Sequence, residues 1–142
     1  MNVVIGSDHG GYGLKTFLLS RLQGDGYQVD DVGTYSPDSV DYPDFADQVC
    51  KKVKEQPDSL GILICGTGVG MSIAANRNYE IRAALCHDEY SARMSREHND
   101  ANVLCLGARV VGKGLAAAIV DIWLHSSFTG GRHQRRVDKY SR

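Results

Sequence analysis

Ile62-Leu63-Ile64-Cys65-Gly66-Thr67-Gly68-Val69-Gly70-Met71-Ser72-Ile73-Ala74 reads as a buried strand that runs into three alternating glycines and then into the start of a helix. The strand part is apolar at every position, a pattern tolerated where both faces are covered. The glycines let backbone N–H groups converge on an anion, and the helix N-terminus adds its partial positive charge. Several named loops do this, and none fits. A Walker A loop needs Gly-Lys-Ser/Thr at its end, and no lysine is present. Gly66-x-Gly68-x-Gly70 is one residue short of the dinucleotide fingerprint Gly-x-Gly-x-x-Gly. A cysteine phosphatase loop wants an arginine six residues after the cysteine, where Met71 stands. The nucleophile elbow Gly-x-Ser-x-Gly is missed at Gly70-Met71-Ser72-Ile73-Ala74. Two readings survive: an anion-binding nest with a thiol at its lip, or a tight strand–helix turn with a buried cysteine.

Outward from this stretch the chain alternates. Further strand-length runs stand at Val3–Ile5, Tyr27–Val32, Arg82–Cys86 and Val103–Leu106, besides Gly61–Cys65 itself. Helical spacing links Leu14, Phe17, Leu18 and Leu22; Ala46, Val49, Cys50 and Val53; and Leu115, Ala118, Ile119, Ile122 and Trp123. Asp88–His98 reads as another helix, with Tyr90, Met94 and His98 on one face. Largely apolar strands alternating with helices predict a parallel sheet covered on both sides. With right-handed crossovers the fold is a doubly wound, Rossmann-like three-layer α/β/α sandwich with a five-stranded parallel sheet. No repeat or linker interrupts it, so residues 1–142 form one expected domain. Ligands of such folds bind beyond the C-terminal strand ends, which puts Gly6–Gly11, Cys65–Gly70, Cys86–Asp88 and Gly107–Arg109 on one rim.

A formal net charge of −1 over 142 residues gives no global pull toward nucleic acid or an anionic membrane. No apolar run reaches the roughly 18 residues of a membrane span, and no export leader is apparent, so a cytoplasmic protein is expected. The four cysteines, 50, 65, 86 and 105, lack zinc or redox spacing. Cys50 and Cys105 read as small core residues. No metal site and no cofactor are expected.

Other segments carry two readings each. Asp8 is either a helix N-cap or, with His9, a grip on sugar hydroxyls or phosphate. His98 gains from the dipole at a helix C-terminus, and Asn99 suits a C-cap, so neither is assigned to catalysis by position. Arg132 and Arg136, if helical, lie one turn apart and make a two-pronged phosphate clamp; otherwise the segment is a solvated basic tail.

Taken together, Gly6-Ser7-Asp8-His9-Gly10, Asp41-Tyr42-Pro43, Ile64 through Gly70, Ser95 through Asn102, Gly107 through Gly112 and Gly130 through Val137 resemble the type B ribose-5-phosphate isomerases and their sugar-phosphate isomerase relatives. The motifs run in order across nearly the whole chain. The resemblance implies an aldose–ketose isomerase of the non-oxidative pentose phosphate pathway, interconverting ribose 5-phosphate and ribulose 5-phosphate through an enediolate. It implies Cys65 as the base and His98 in ring opening; Thr67, between the glycines, is then placed to relay a proton between O1 and O2. The amides of Gly66, Thr67, Gly68, Val69 and Gly70, with Asn99, would hold the enediolate oxygens. Asp8 and His9 would contact the sugar, and Arg109, Arg132 and Arg136 the phosphate. It also implies a homodimer, or a tetramer, whose active sites are shared between subunits. The alternatives are a six-carbon substrate such as allose 6-phosphate or galactose 6-phosphate, or a non-catalytic phosphate- or nucleotide-binding module.

Overall fold

The computed structural model describes residues 1–141. β1 (Asn2–Ser7) passes through a short 3-10 turn (His9–Gly11) into α1 (Tyr12–Gly24), and β2 (Gln28–Asp31) follows. Next come α2 (Tyr42–Glu55), β3 (Leu60–Cys65), α3 (Val69–Asn76) and β4 (Ala83–Leu85). The chain ends with α4 (Glu89–Glu97), β5 (Val103–Gly107), α5 (Lys113–His125) and α6 (Arg132–Tyr140). The strands form one sheet in the order β2-β1-β3-β5-β4, with every pair parallel, so the expected five-stranded architecture is the observed one.

Alternation along the central strands builds two cores. Val4, Leu63, Cys65, Val103 and Cys105 meet Ala46, Val49, Cys50 and Val53 of α2 and Met71 and Ala75 of α3. Val3, Ile5, Ile62, Ile64, Leu104 and Leu106 face the other way, against α1, α4 and α5. A side-chain period of two on a doubly covered sheet makes each strand apolar without a break. The edge strand β2, Gln28-Val29-Asp30-Asp31, is only half-buried and shorter than Tyr27–Val32.

One helix face differs from the sequence expectation. In α5 the buried residues are Ala116, Ala117, Ile119, Val120, Trp123 and Leu124, whereas Leu115 is exposed and Ala118 and Ile122 only half-buried. This helix is apolar almost all round, so periodicity alone fits more than one face. Trp123 fixes the choice, because its indole N–H donates to Ser95 Oγ (3.2 Å) in the core. In α4 Ala92 and Ser95 are the buried residues, while Tyr90, on the row with Met94 and His98, is exposed. Small residues let α4 lie close over Trp123, whose ring Arg96 also covers at 5.6 Å.

The sheet order fixes where a ligand can sit. From β1 the chain goes outward to β2 on one side, then crosses to β3 on the other. The crossovers diverge there and leave a crevice beyond the C-terminal ends of β1 and β3.

Cys50 and Cys105 are fully buried in one core. Cys50→Ala and Cys105→Ala should each lower the unfolding free energy by about 0.5–3 kcal/mol through a small cavity, read from urea denaturation. No loss in either variant would mean that the core closes over the missing sulfur.

Candidate active site

β3 ends at Cys65, and the turn behind it is shaped by two close approaches. Gly68, which caps α3, has φ +79°, and a Cβ there would lie 2.9 Å from the Leu106 carbonyl carbon. At the end of β5, a Cβ on Gly107 would lie 2.5 Å from the Thr67 carbonyl oxygen. Without side chains at both positions the turn rests directly on the strand end. In this position the Gly68 N–H donates to Cys65 Sγ at 3.1 Å. That donor and the N-terminus of α3 both put positive charge at the sulfur. Thr67 is exposed, and its Oγ1 accepts from the Val69 N–H (3.2 Å).

The crevice around this turn gathers Asp8, Cys65, Gly66, Thr67, Val69, Gly70 and Arg109 from the sequence-derived set. Asp8 caps the 3-10 turn that leads into α1, its Oδ1 accepting from the Gly11 N–H at 3.1 Å, and it also lines the crevice. Arg109 is held by its N–H to Gly66 O (3.0 Å), and its guanidinium lies across Gly66. His9 stands beside Asp8 in sequence, its Nδ1 accepting the Val40 N–H at 3.2 Å.

The rest of the set lies elsewhere. His98 and Asn99 follow α4 and precede β5, at the N-terminal end of the sheet. Cys65 pairs with Gly107, the last residue of β5. Four strand steps from Val103 to Gly107 span roughly 13 Å, so the two groups sit at opposite ends of the sheet. The αL position after α4 is taken by Asp100 (φ +51°), not Asn99. Asn99 instead meets Tyr140, whose hydroxyl donates to Asn99 O at 3.2 Å. This ties α6 to the same end, and Arg132 and Arg136 lie on that helix, one turn apart and exposed. His133 stacks on His98 with ring centroids 4.1 Å apart and planes 13° from parallel. Loss of solvation, then the charges of His98, Arg132 and Arg136, hold the His133 imidazole below its ordinary value. Within one chain, therefore, the thiol nest and the His98–arginine group do not meet.

Sequence reasoning did not single out three of these residues. Tyr42 and Ile73 also line the crevice, and the Tyr42 ring lies where a Cβ on Gly70 would be. Tyr42 was visible only as part of Asp41-Tyr42-Pro43, where Pro43 marks a helix start. Ile73 reads as an ordinary apolar helix residue, and His133 carried no signal beyond its place between two arginines. Among the described residues no group of three or more His, Cys, Asp or Glu side chains is placed to hold a metal ion. No helix there is long and apolar enough to cross a membrane.

A doubly wound sheet with a thiol in a glycine nest at its switch point defines a class of small α/β domains suited to anionic substrates. Comparison with known proteins narrows that class. Residues 3–140 match the family model described as Ribose/Galactose Isomerase. The ribose-5-phosphate isomerase B of Escherichia coli K12 is 51% identical over 136 residues, covering 96% of this chain and 91% of the relative. The Clostridium thermocellum ribose-5-phosphate isomerase B structure superposes with a TM-score of 0.95 at 57% identity, over 98% of this chain and 94% of that one. The Mycoplasma genitalium ribose-5-phosphate isomerase B structure, with bound ribulose-5-phosphate, does so with a TM-score of 0.94 at 48% identity, over 97% and 92%. The chain belongs to the ribose/galactose isomerase family.

Of the four cysteines, only Cys65 borders the crevice. Burial pushes the Cys50 thiol up to about 12 and that of Cys86 up to about 11, which keeps both protonated and unreactive at neutral pH. Iodoacetamide should therefore modify native protein at Cys65 alone, with peptide mapping as the readout. Label found first on Cys50 or Cys86 would contradict this geometry.

Proposed function

We propose that this chain interconverts ribose 5-phosphate and ribulose 5-phosphate in the cytoplasm, with Cys65 as the carbon base. The observation that carries the reading is the Gly68 N–H on Cys65 Sγ, inside a crevice also lined by Thr67 and Arg109. A proton alpha to a carbonyl is only weakly acidic, so the enediolate must be stabilised as it forms, and preorganised N–H groups do this well. Cys65 thiolate removes the proton from C2 of the open-chain aldose. The C–H electron pair forms the C1–C2 double bond, and the carbonyl pair moves to O1. Gly66 through Gly70 supply amides to the resulting oxyanion. Thr67 then relays the proton from O2 to O1, and the Cys65 thiol returns its proton to C1 as the C2 carbonyl forms. Asp8 and His9 hold the sugar, and Arg109 holds its phosphate end.

The remaining residues complete the site from a second copy of the chain. His98 moves a proton between the anomeric hydroxyl and the ring oxygen, Asn99 contacts the enediolate, and Arg132 and Arg136 clamp the phosphate dianion. Their position at the far end of the sheet is what supports a homodimer with shared sites, since no single chain brings them to Cys65. A domain that folds as one unit and exchanges such ends with its twofold partner closes on itself.

Cys65→Ala should lower kcat by about 10²–10⁴-fold, the ordinary range for a positioned base, in an assay coupled to ribulose 5-phosphate formation. Near-normal turnover would remove the thiol from the reaction. Subunit mixing tests the shared site. Cys65→Ala and an Arg132→Ala/Arg136→Ala double variant, each nearly inactive, should regain roughly a quarter of wild-type activity when unfolded and refolded together. Random pairing makes half of the dimers mixed, and each mixed dimer holds one intact site of two. Activity no greater than the sum of the parents would place both groups within one chain's own site.

A further inference from the structure

Lys15 is not among the residues of the proposed chemistry, yet it is only 2% exposed. A buried ammonium is costly unless it is paired and hydrogen-bonded. Nζ donates to both carboxylate oxygens of Asp31, at 2.7 and 2.6 Å, and lies 5.4 Å from the Tyr35 ring centroid and 5.8 Å from that of Tyr12. Asp31, the last residue of β2, has further duties. Its Oδ1 accepts from the Gly33 N–H (2.9 Å), and its carbonyl accepts from the Tyr35 hydroxyl (2.8 Å). Replacing a buried ion pair with apolar residues is often neutral for stability. A directional pair held at this place therefore suggests a geometric task.

The segment after Asp31 shows what that task is. Residues 32–41 run from this clamp to the crevice. Near the start, Ser7 N–H donates to Gly33 O (2.7 Å) and Thr34 N–H to Ser7 O (2.8 Å), which fastens the segment to β1. At the other end Val40 N–H reaches His9 Nδ1, and Asp41 leads into Tyr42, whose ring covers Gly70. Because Nδ1 accepts that bond, the proton of the neutral imidazole sits on Nε2, leaving Nε2–H to donate to a substrate oxygen.

We propose that Lys15 is a positioning residue: through Asp31 it sets the 32–41 segment, and with it the tautomer of His9 and the placement of Tyr42 at the site. The kinetic arm of the test rests on the isomerase reading; the spectroscopic arm does not. Lys15→Met removes the charge at similar length. Tyr35→Ala removes one wall of the clamp from an exposed position, so its folding is not in question. Leu22→Ala, buried elsewhere on α1, serves as the control for general destabilisation. In both clamp variants native-state exchange of the Val40 amide should quicken about tenfold or more. The ring nitrogens of His9 should show a mixed tautomer in ¹⁵N spectra above neutral pH. KM for ribose 5-phosphate should rise about tenfold while kcat changes less than about threefold. Leu22→Ala should lower Tm and leave all three unmoved. Unchanged Val40 exchange and His9 spectra in Tyr35→Ala and in folded Lys15→Met would overturn the proposal, as would equal changes in Leu22→Ala. If Lys15→Met does not fold, Tyr35→Ala decides. Exchange that quickens with KM unmoved would also overturn the positioning role. Wild-type protein without isomerase activity would sink only the kinetic arm, and the Val40 and His9 signals would still decide.

Discussion

The carbonyl of Thr67 rests on the α-carbon of Gly107, and the backbone of Leu106 lies where a side chain on Gly68 would have to be. The rest of the crevice depends on this contact between a turn and the end of a neighbouring strand. A methyl group at either position would lift the turn away from β5. The amide of Gly68 would then no longer point at Cys65 Sγ, and the first turn of α3 would move with it. Arg109 is part of the same arrangement, because its N–H binds Gly66 O and its guanidinium crosses that residue. Nest, thiol and cation are thus positioned by one backbone contact, with no side chain needed to mediate it.

The sheet supplies the platform for that contact. β1 and β3 are adjacent and parallel, with Ser7 opposite Ile64, so Asp8 and Cys65 leave the sheet at the same level. The 3-10 turn after β1 and the glycine turn after β3 face each other across the switch point. Buried, hydrogen-bonded strands on both sides make the floor rigid. The walls are held differently. One is the 32–41 segment, fastened at its start to Asp31 and Ser7 and at its far end to His9; the other is the first turn of α3, with Val69 and Ile73 exposed.

Much of this was legible from sequence because the central strands are buried on both faces. A run such as Leu63-Ile64-Cys65 has few other places to go, and three glycines at alternate positions allow few backbone paths. The misassigned face of α5 has a local cause. Its packing against α4 is decided by one tryptophan seeking a hydroxyl and by small residues yielding to it, and hydrophobic spacing does not record either. The role of Tyr42 was hidden because it depends on a glycine twenty-eight positions away being bare. Nothing in the spacing of α1 marks Lys15, whose burial goes with Asp31 beside it. The position of His98 and Asn99 was undecidable for a stronger reason: a helix C-terminus before a strand lies at the opposite end of a parallel sheet from the ligand rim. On the proposed reading, motifs from both ends belong to one chemistry because the ends of two copies meet.

A domain this small has few ways to exclude water from its substrate. An isomerase must shelter an enediolate, and among the described residues the crevice beyond β1 and β3 is an open groove. α6 buries only Val137 in its own chain and otherwise exposes three arginines, Lys139 and Tyr140. A helix so weakly committed to its own core is stable when something else covers it. On the proposed reading, that cover is the crevice of the second copy, and the same contact that stabilises the helix closes the groove over the substrate. Phosphate then adds to the driving force, because Arg132 and Arg136 on one side and Arg109 on the other repel one another until a dianion lies between them. Closure in that case is favoured by the phosphorylated substrate itself, which links recognition of the phosphate to protection of the intermediate at the other end of the sugar.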